Sequence, residues 1–88
     1  MNVELRPAAL EDLAWFAKRE PRLLKRIFQI IEDTRRSPFE GLGKPEPLKG
    51  ELSGWWSRRI DREHRLVYRV VGEGIAQRLQ IVQCRKHY

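Results

Sequence analysis

The 88-residue sequence contains a single cysteine, Cys84, so the chain cannot form an internal disulfide. It has no run of about 18 apolar residues, and we therefore expect no membrane-spanning helix. Its first residues lack a basic region followed by an apolar one, so no signal peptide is visible. These absences predict a cytoplasmic protein with no membrane association, in which Cys84 is a small buried strand residue rather than a reactive thiol.

Motifs for metals and for nucleotide cofactors are also missing. One cysteine and two distant histidines give no ligand spacing typical of zinc. The sequence has no GxGxxG motif and no phosphate-binding loop of the GxxxxGKS or GxxxxGKT type. We therefore expect neither a metal nor a cofactor.

Basic residues are in excess, since 18 lysines and arginines against 12 acidic residues leave a net charge of +6. A small basic protein usually binds an anionic partner, and nucleic acid is the first candidate. The excess is largest in residues 45–88, where seven of the nine basic groups are arginine. Arginine is better suited than lysine to bidentate phosphate contacts and to stacking on bases. Several of these arginines fall in predicted strands or turns: Arg58, Arg59, Arg62, Arg65, Arg69 and Arg78.

Hydrophobic periodicity predicts a short strand over residues 2–6 and then two helices, each opening with a proline that suits the first helical position. The helices are expected to run from Pro7 to about Lys18 and from Pro21 to about Arg36. The spacing predicts these core-facing residues: Leu10, Leu13, Ala14 and Ala17 in the first helix, and Leu23, Leu24, Ile27, Phe28, Ile30 and Ile31 in the second.

Residues 37–50 contain three prolines and three glycines, and they are predicted to form a loop. A loop of this length is either functional or a plain connector. Alternating polar and apolar residues then predict three strands, over residues 52–60, 64–71 and about 75–85. The order β-α-α-β-β-β predicts one α+β domain spanning residues 1–88, with a mostly antiparallel sheet that carries the two helices on one face.

The first hairpin of the predicted sheet places arginines opposite each other. If its turn is Asp61–Glu63, Arg59 lies opposite Arg65 on an open face that also holds Trp55 and Arg69. Like charges in opposite positions destabilise a sheet, so this pair indicates that an anion binds between them. A basic face with an aromatic side chain is typical of a platform for single-stranded RNA, and a merely solvated face is the alternative.

The last hairpin has an irregular pattern. A three-residue turn at GEG would place Leu79 and Ile81 on the arginine-rich face, although both are typical core residues. We therefore expect a bulge or a longer turn between the last two strands.

Glu46 is a candidate for acid–base chemistry because Pro45 and Pro47 flank it and restrict the backbone at this position. The alternative is a solvated loop glutamate. Lys44 and Lys49 lie nearby in the sequence, where they either contact phosphate or serve as ordinary surface residues.

The two histidines are the other acid–base candidates. His64 lies beside a turn and is expected to be a surface residue. His87 lies next to Tyr88, and it is a candidate because the tail leaves a strand directly, which would hold it close to the sheet. A disordered tail is the alternative.

The stretch DTRRSPFEGLGKPEPLKGELSGWWSRRIDREHRLVYRV at 33–70, with the ending CRKHY at 84–88, closely resembles the YoeB toxins. These belong to the RelE/ParE-type toxins of bacterial toxin–antitoxin systems. The pieces GKPEPLK, SRRI, EHRLVY and the final HY are specific in combination, whereas the resemblance is weaker over the N-terminal helices. It implies a RelE-like fold and a ribosome-dependent endoribonuclease that cleaves mRNA in the ribosomal A site.

The resemblance also implies partners and site residues. The partners are a cognate antitoxin of the YefM/Phd type, a second copy of the chain in a homodimer, and operator DNA only through the antitoxin complex. Because the sheet face is basic, we expect the antitoxin to carry an acidic, apolar tail along it. The matching positions are Glu46 as general base, His87 as general acid, Arg65 as phosphate-stabilising arginine, Tyr88 as an orienting residue, and Lys49 and Arg59 around the scissile phosphate. From the sequence itself, we also predict that Lys44 and Trp55 bind the substrate.

These residues suit RNA cleavage without a metal. The neighbouring 2′-OH is the nucleophile, a glutamate takes its proton, a histidine protonates the leaving 5′-oxygen, and arginines stabilise the phosphorane. One alternative is a non-enzymatic module that binds RNA or the ribosome through the basic sheet face. Another is an interaction module whose sole partner is the antitoxin. Gyrase poisoning, as in ParE-like toxins, is disfavoured because those toxins lack this ending. The last hairpin looks longer than expected for the family.

Overall fold

The computed structural model describes residues 1–86. These residues form two helices, five strands and two short 3₁₀ turns. The 3₁₀ turns, at Gly50–Leu52 and Gly74–Ala76, lie where the sequence predicted the starts of strands. In chain order the elements are β1 (Asn2–Leu5), α1 (Pro7–Arg19), α2 (Pro21–Arg36), β2 (Glu46–Pro47), β3 (Trp56–Arg59), β4 (Arg65–Val71) and β5 (Arg78–Gln83).

The strands form one sheet in the order β1-β5-β4-β3-β2, with β1 parallel to β5 and the other pairs antiparallel. Residues of both helices join one face of this sheet in a shared hydrophobic core. The predicted α+β architecture is therefore confirmed. The new feature is β2, an edge strand of two residues inside the predicted loop over residues 37–50. It is too short for an alternating pattern to reveal it.

The prediction for the core-facing side of α1 is wrong except at Leu13. The helix buries Ala9, Leu13 and Phe16. Phe16 removes far more apolar area from water than an alanine does, so the helix turns its aromatic side to the sheet. Three predicted core residues are consequently exposed: Leu10, Ala14 and Ala17.

The prediction for α2 is largely correct. Phe28 is the exception, because it is 52% exposed and lines an open surface groove with Leu42. The remaining predicted residues are buried or partly buried: Leu23, Leu24, Ile27, Ile30 and Ile31.

The last hairpin has both irregularities that its sequence predicted. The register of β4 and β5 shifts between Val67 and Tyr68, and Val71 pairs with Arg78 across a turn of residues 72–77. Gly72 is required in this turn, since it has a φ of +83° and a Cβ there would lie 2.4 Å from a backbone oxygen. The longer turn places Leu79 and Ile81 in the core.

Cys84 is buried just beyond the end of β5. Its backbone N–H donates a hydrogen bond to Oδ2 of Asp12 in α1, at 3.0 Å. Burial raises the pKa of the thiol to about 12, so the group is a neutral thiol at physiological pH. The expectation of a buried, unreactive cysteine is consistent with this environment.

Arg58 is the largest side chain buried completely, and it anchors the loop that leads to β2. Its Nη1 atom donates to Oδ2 of Asp33 at 2.7 Å, and its Nε donates to the hydroxyl of Tyr68 at 3.2 Å. The Tyr68 hydroxyl in turn donates to the carbonyl of Pro38. The guanidinium also donates to three loop carbonyls: Ser37, Glu40 and Leu42. Arg58 is therefore unavailable to a nucleic acid.

Asp33 stabilises the same loop, and its ionisation makes this contribution depend on pH. Its carboxylate accepts the backbone N–H of Leu42 at 2.9 Å and the guanidinium of Arg58. These two hydrogen bonds, the one from Leu42 first, lower the pKa of Asp33. The stabilisation is therefore complete above the pKa of an unfolded aspartate, about 3.9, and it is lost as pH falls through the lower native pKa.

We expect the substitution Asp33→Asn to lower the free energy of unfolding by about 1–2 kcal/mol at pH 7. At pH 3, below the pKa of an unfolded aspartate, part of this stabilisation is lost, so the difference in free energy of unfolding between the two proteins should narrow. Urea unfolding at both pH values measures this, with Glu73→Gln as the control for loss of one exposed carboxylate. A difference that stays the same at both pH values would contradict the role given to ionised Asp33.

Candidate active site

The sheet face opposite the helices carries the predicted row of arginines. β3 and β4 pair with Ser57 opposite Val67 and Arg59 opposite Arg65, as the alternating pattern predicted. Trp55 lies just before β3, and the guanidinium carbon of Arg69 stacks 4.2 Å from the centre of its ring. Two like charges and a fixed aromatic ring therefore share one open surface.

Glu46 is brought to this surface by β2. It pairs with Ser57 of the neighbouring strand β3. The following Pro47, which has no N–H, is tolerated because β2 lies at the edge of the sheet. Nη1 of Arg65 lies 3.1 Å from Oε1 of Glu46 and 3.3 Å from Oγ of Ser57. The structure thus joins two residues that are 19 positions apart and that the sequence assigned as base and phosphate-binding arginine.

The exposure of this pair suits a reactive site. The side chain of Glu46 is 55% exposed, so its carboxylate is accessible to a proton donor from solvent or from a ligand. The side chain of Arg65 is only 16% exposed, so its guanidinium is held by the protein and faces the carboxylate. A fixed cation beside an accessible carboxylate can bind a phosphate next to a group that removes a proton.

Lys44 and Arg59 lie in a second, basic cleft. The backbone N–H of Arg59 donates to the carbonyl of Gly43 at 2.7 Å, which fixes the loop against β3. A cleft of about 220 Å³ at this point is lined by Arg26, Gly43, Lys44, Arg59 and Ile60. Sequence reasoning missed Arg26, because a basic residue on a helix next to core positions reads as an ordinary solvated side chain.

Lys49 and Trp55 are the remaining predicted substrate-binding residues. Lys49 is exposed before the first 3₁₀ turn, and within residues 1–86 it forms no ion pair. Trp55 is partly buried, and its partner Arg69 also donates to the side chain of Gln80 at 2.7 Å. The structure therefore places Trp55 on the open face and does not join Lys49 to the pair by any described contact.

His64 is buried, and the prediction of a surface histidine is wrong. It is 2% exposed, because its ring packs edge-on against Phe16 of α1 at 4.9 Å between ring centres. Its Nδ1 atom accepts the backbone N–H of Lys86 at 2.8 Å. The burial of His64 depends on the side of α1 that faces the sheet, which the sequence had placed wrongly.

The tail of the chain is attached to the beginning of β4. The backbone N–H of Arg65 donates to the carbonyl of Lys86 at 3.2 Å, and the guanidinium carbon of Arg85 lies 4.4 Å from the ring centre of Trp15. The predicted catalytic residues His87 and Tyr88 lie outside the described residues. Lys86, which precedes them, is hydrogen-bonded to Arg65, whose side chain contacts Glu46.

Within residues 1–86, no three histidine, cysteine, aspartate or glutamate side chains are close enough to hold a metal ion together. Over the same residues, neither helix has the length and hydrophobicity needed to cross a membrane.

Comparison with known proteins identifies the family. The sequence model described as "YoeB-like toxin of bacterial type II toxin-antitoxin system" matches residues 5–88. Toxin YoeB of Escherichia coli O6:H1 is 54% identical over 78 residues, which cover 89% of this chain and 88% of that protein. Toxin YoeB of Streptomyces coelicolor is 48% identical over 88 residues, which cover 100% of both.

Solved structures agree with the sequence matches. A YoeB/ParE toxin from Agrobacterium tumefaciens superposes with a TM-score of 0.94 at 46% identity, covering 100% of both chains. The toxin in a heterotetrameric YoeB–YefM toxin–antitoxin complex from Staphylococcus aureus superposes with a TM-score of 0.85 at 38% identity, covering 100% of this chain and 98% of that one. A YoeB dimer from the same organism gives 0.86 at 38% identity with the same coverage. This chain therefore belongs to the YoeB family of toxins from bacterial type II toxin–antitoxin systems.

Proposed function

We propose that this toxin is a ribosome-dependent endoribonuclease that cleaves mRNA in the ribosomal A site. The observation that carries the proposal is the position of Arg65. Its side chain contacts the carboxylate of Glu46 at 3.1 Å, and its backbone bonds to Lys86, the residue before His87. These contacts support the proposal, because they bring the candidate base, the candidate phosphate-binding arginine and the residue before the candidate acid together at the beginning of β4.

The reaction would proceed by attack of the RNA's own 2′-OH. Glu46 takes the 2′-OH proton, the 2′-oxygen bonds to phosphorus, and the bond from phosphorus to the 5′-oxygen breaks. Arg65 stabilises the charge that develops on the phosphorane, and His87 protonates the leaving 5′-oxygen. The product carries a 2′,3′-cyclic phosphate. DNA lacks the 2′-OH and should not be cut.

The remaining basic residues would bind the RNA. The cleft of Arg26, Lys44 and Arg59 offers three cations for phosphates, and Trp55 offers a ring for a base to stack on. Lys49, like Arg59, would contribute a positive charge around the scissile phosphate, and Tyr88 would orient the site. This arrangement supports binding to the ribosome as well as to mRNA, in the cytoplasm where both are found.

A cognate antitoxin of the YefM/Phd type would neutralise the protein. The YoeB chains of Staphylococcus aureus form a complex with YefM and a dimer, which supports an antitoxin partner and a homodimer here. The basic sheet face favours an acidic, apolar antitoxin tail. Operator DNA would be bound only by the toxin–antitoxin complex.

Primer extension on a message translated in vitro tests the activity. One reaction contains the protein, one omits ribosomes, and one contains the variant His87→Ala. We expect breaks in the message that require ribosomes and disappear with the variant. Breaks without ribosomes would make the protein a free ribonuclease. Blocked translation without breaks would favour a non-enzymatic binder that uses the basic cleft.

A further inference from the structure

We propose that His64 is a positioning residue for the general acid. Its imidazole holds the backbone turn at Lys86, the residue that precedes the proposed general acid His87. This inference rests on the proposed function, because it requires His87 to protonate the leaving group. Nothing in the family comparison assigns a role to His64.

The environment of His64 determines which of its ring nitrogens accepts a hydrogen bond. The ring packs against Phe16 at 4.9 Å and lies 6.0 Å from the ring of Trp15, both in α1. Since Nδ1 accepts the Lys86 N–H, the neutral ring carries its proton on Nε2. The Nε2 atom faces the carboxylates of Glu20 and Glu63 at 3.9 and 3.8 Å. These neighbours favour the tautomer that leaves Nδ1 as an acceptor.

The turn that His64 holds is strained. Lys86 has a φ of +65°, in the left-handed region that non-glycine residues rarely adopt. Such a conformation is unfavourable for a residue with a side chain and persists only where the surroundings hold it. Here the N–H of Lys86 is bonded to His64 and its carbonyl to the N–H of Arg65. The turn is therefore built by the protein rather than being the relaxed course of a loose tail.

The two residues before the turn are held as well. Cys84 donates its backbone N–H to Asp12, and the guanidinium of Arg85 stacks on Trp15. The backbone leading up to and including Lys86 is consequently held by contacts at three successive residues. Of these contacts, the hydrogen bond to His64 is the one that holds the backbone N–H of Lys86.

The hydrogen bond from Lys86 requires a hydrogen-bond acceptor at position 64. If His64 only packed against Phe16 in this apolar pocket, another aromatic side chain could replace it. Phenylalanine would fill much of the space, but it would leave the N–H of Lys86 without an acceptor and free the strained turn to relax. Asparagine would lose packing but would keep an oxygen acceptor near the position of Nδ1.

The variants His64→Phe and His64→Asn separate packing from positioning. For His64→Phe we expect kcat to fall about 10–100-fold, because a small displacement of a catalytic group has an effect of this size, with KM unchanged. For His64→Asn we expect most of kcat to be retained. Thermal unfolding and binding of the cognate antitoxin, measured for both, establish that each variant is folded.

A modified message shows whether the defect acts through the general acid. Its A-site scissile linkage carries sulfur in place of the bridging 5′-oxygen. Attack by the 2′-oxygen then breaks the bond from phosphorus to sulfur and releases a thiolate, which needs no proton because a thiol has a pKa of about 8.5. On this message we expect the defects of His64→Phe and His87→Ala to shrink to a few-fold.

The outcomes distinguish the inference from the function on which it rests. If His87→Ala is rescued by the sulfur-containing message and His64→Phe is not, the role of His64 is structural and the inference is wrong. If neither defect is rescued, His87 is not the general acid, and both the mechanism and the inference fail. Equal losses of kcat in the two His64 variants, with both folded, would also overturn the inference.

Discussion

Replacement of Glu46 by glutamine is expected to slow mRNA cleavage about 10²- to 10⁴-fold, the usual contribution of a general base. The side chain is exposed on a two-residue edge strand, and its described side-chain partner is Arg65. Glutamine keeps the shape and an oxygen for Arg65, but it cannot accept the proton of a 2′-OH. Thermal stability should therefore change little, while the rate of cleavage at the A site falls.

Glu51→Gln is the matched control for this prediction. Glu51 is an exposed carboxylate five residues further along, and removing its charge changes the net charge of the protein by the same amount. We expect its rate to stay within about two-fold of the wild type, since isolated surface changes have small effects. Equal rates for Glu46→Gln and the wild-type protein in single-turnover cleavage would exclude Glu46 as the base.

Replacement of Arg58 by methionine is expected to have the largest effect on stability, lowering the free energy of unfolding by about 3 kcal/mol or more. The substitution leaves the carboxylate of Asp33 and several loop carbonyls without their donor. For a domain of this size the loss corresponds to a fall in Tm of about 12–24 °C. Because the loop leads to β2, cleavage should also fall at temperatures where the protein remains folded.

The neighbouring residue provides the control. Arg59 is adjacent in β3 but exposed, and Arg59→Met should change the free energy of unfolding by no more than about 0.5 kcal/mol. Removing one of two opposed arginines can even stabilise the sheet slightly. Calorimetry of both variants makes the comparison, and similar Tm values would show that the buried guanidinium does not hold the loop.

The parts of the fold that were predictable from the sequence depend on local patterns. Prolines at the first helical position marked the starts of both helices. The register of the β3–β4 hairpin followed from alternation and a short turn, because a shift by one residue would expose every core side chain. That register placed Arg59 opposite Arg65 and so located the open face correctly.

The parts that failed depend on contacts between distant segments. The choice between two possible apolar sides of α1 is made by packing on the sheet, and it also decides that His64 is buried beside Phe16. Arg58 alternates with apolar residues, yet only the folded loop supplies the carbonyls that make its burial stable. The catalytic and RNA-binding roles of all the candidate site residues stay predictions.

The parallel pairing of β1 with β5 determines when this protein can fold during its own synthesis. Residues 2–5 pair with residues 78–81, and β5 separates β1 from the rest of the sheet. The first strand therefore has no partner until nearly the whole sequence has left the ribosome, and pairing across such a separation is slow. A chain that terminates before β5 lacks Leu79 and Ile81, so it cannot close the core. If the protein has the proposed ribosome-dependent activity, its incomplete products should consequently be unfolded and harmless to the ribosomes that made them.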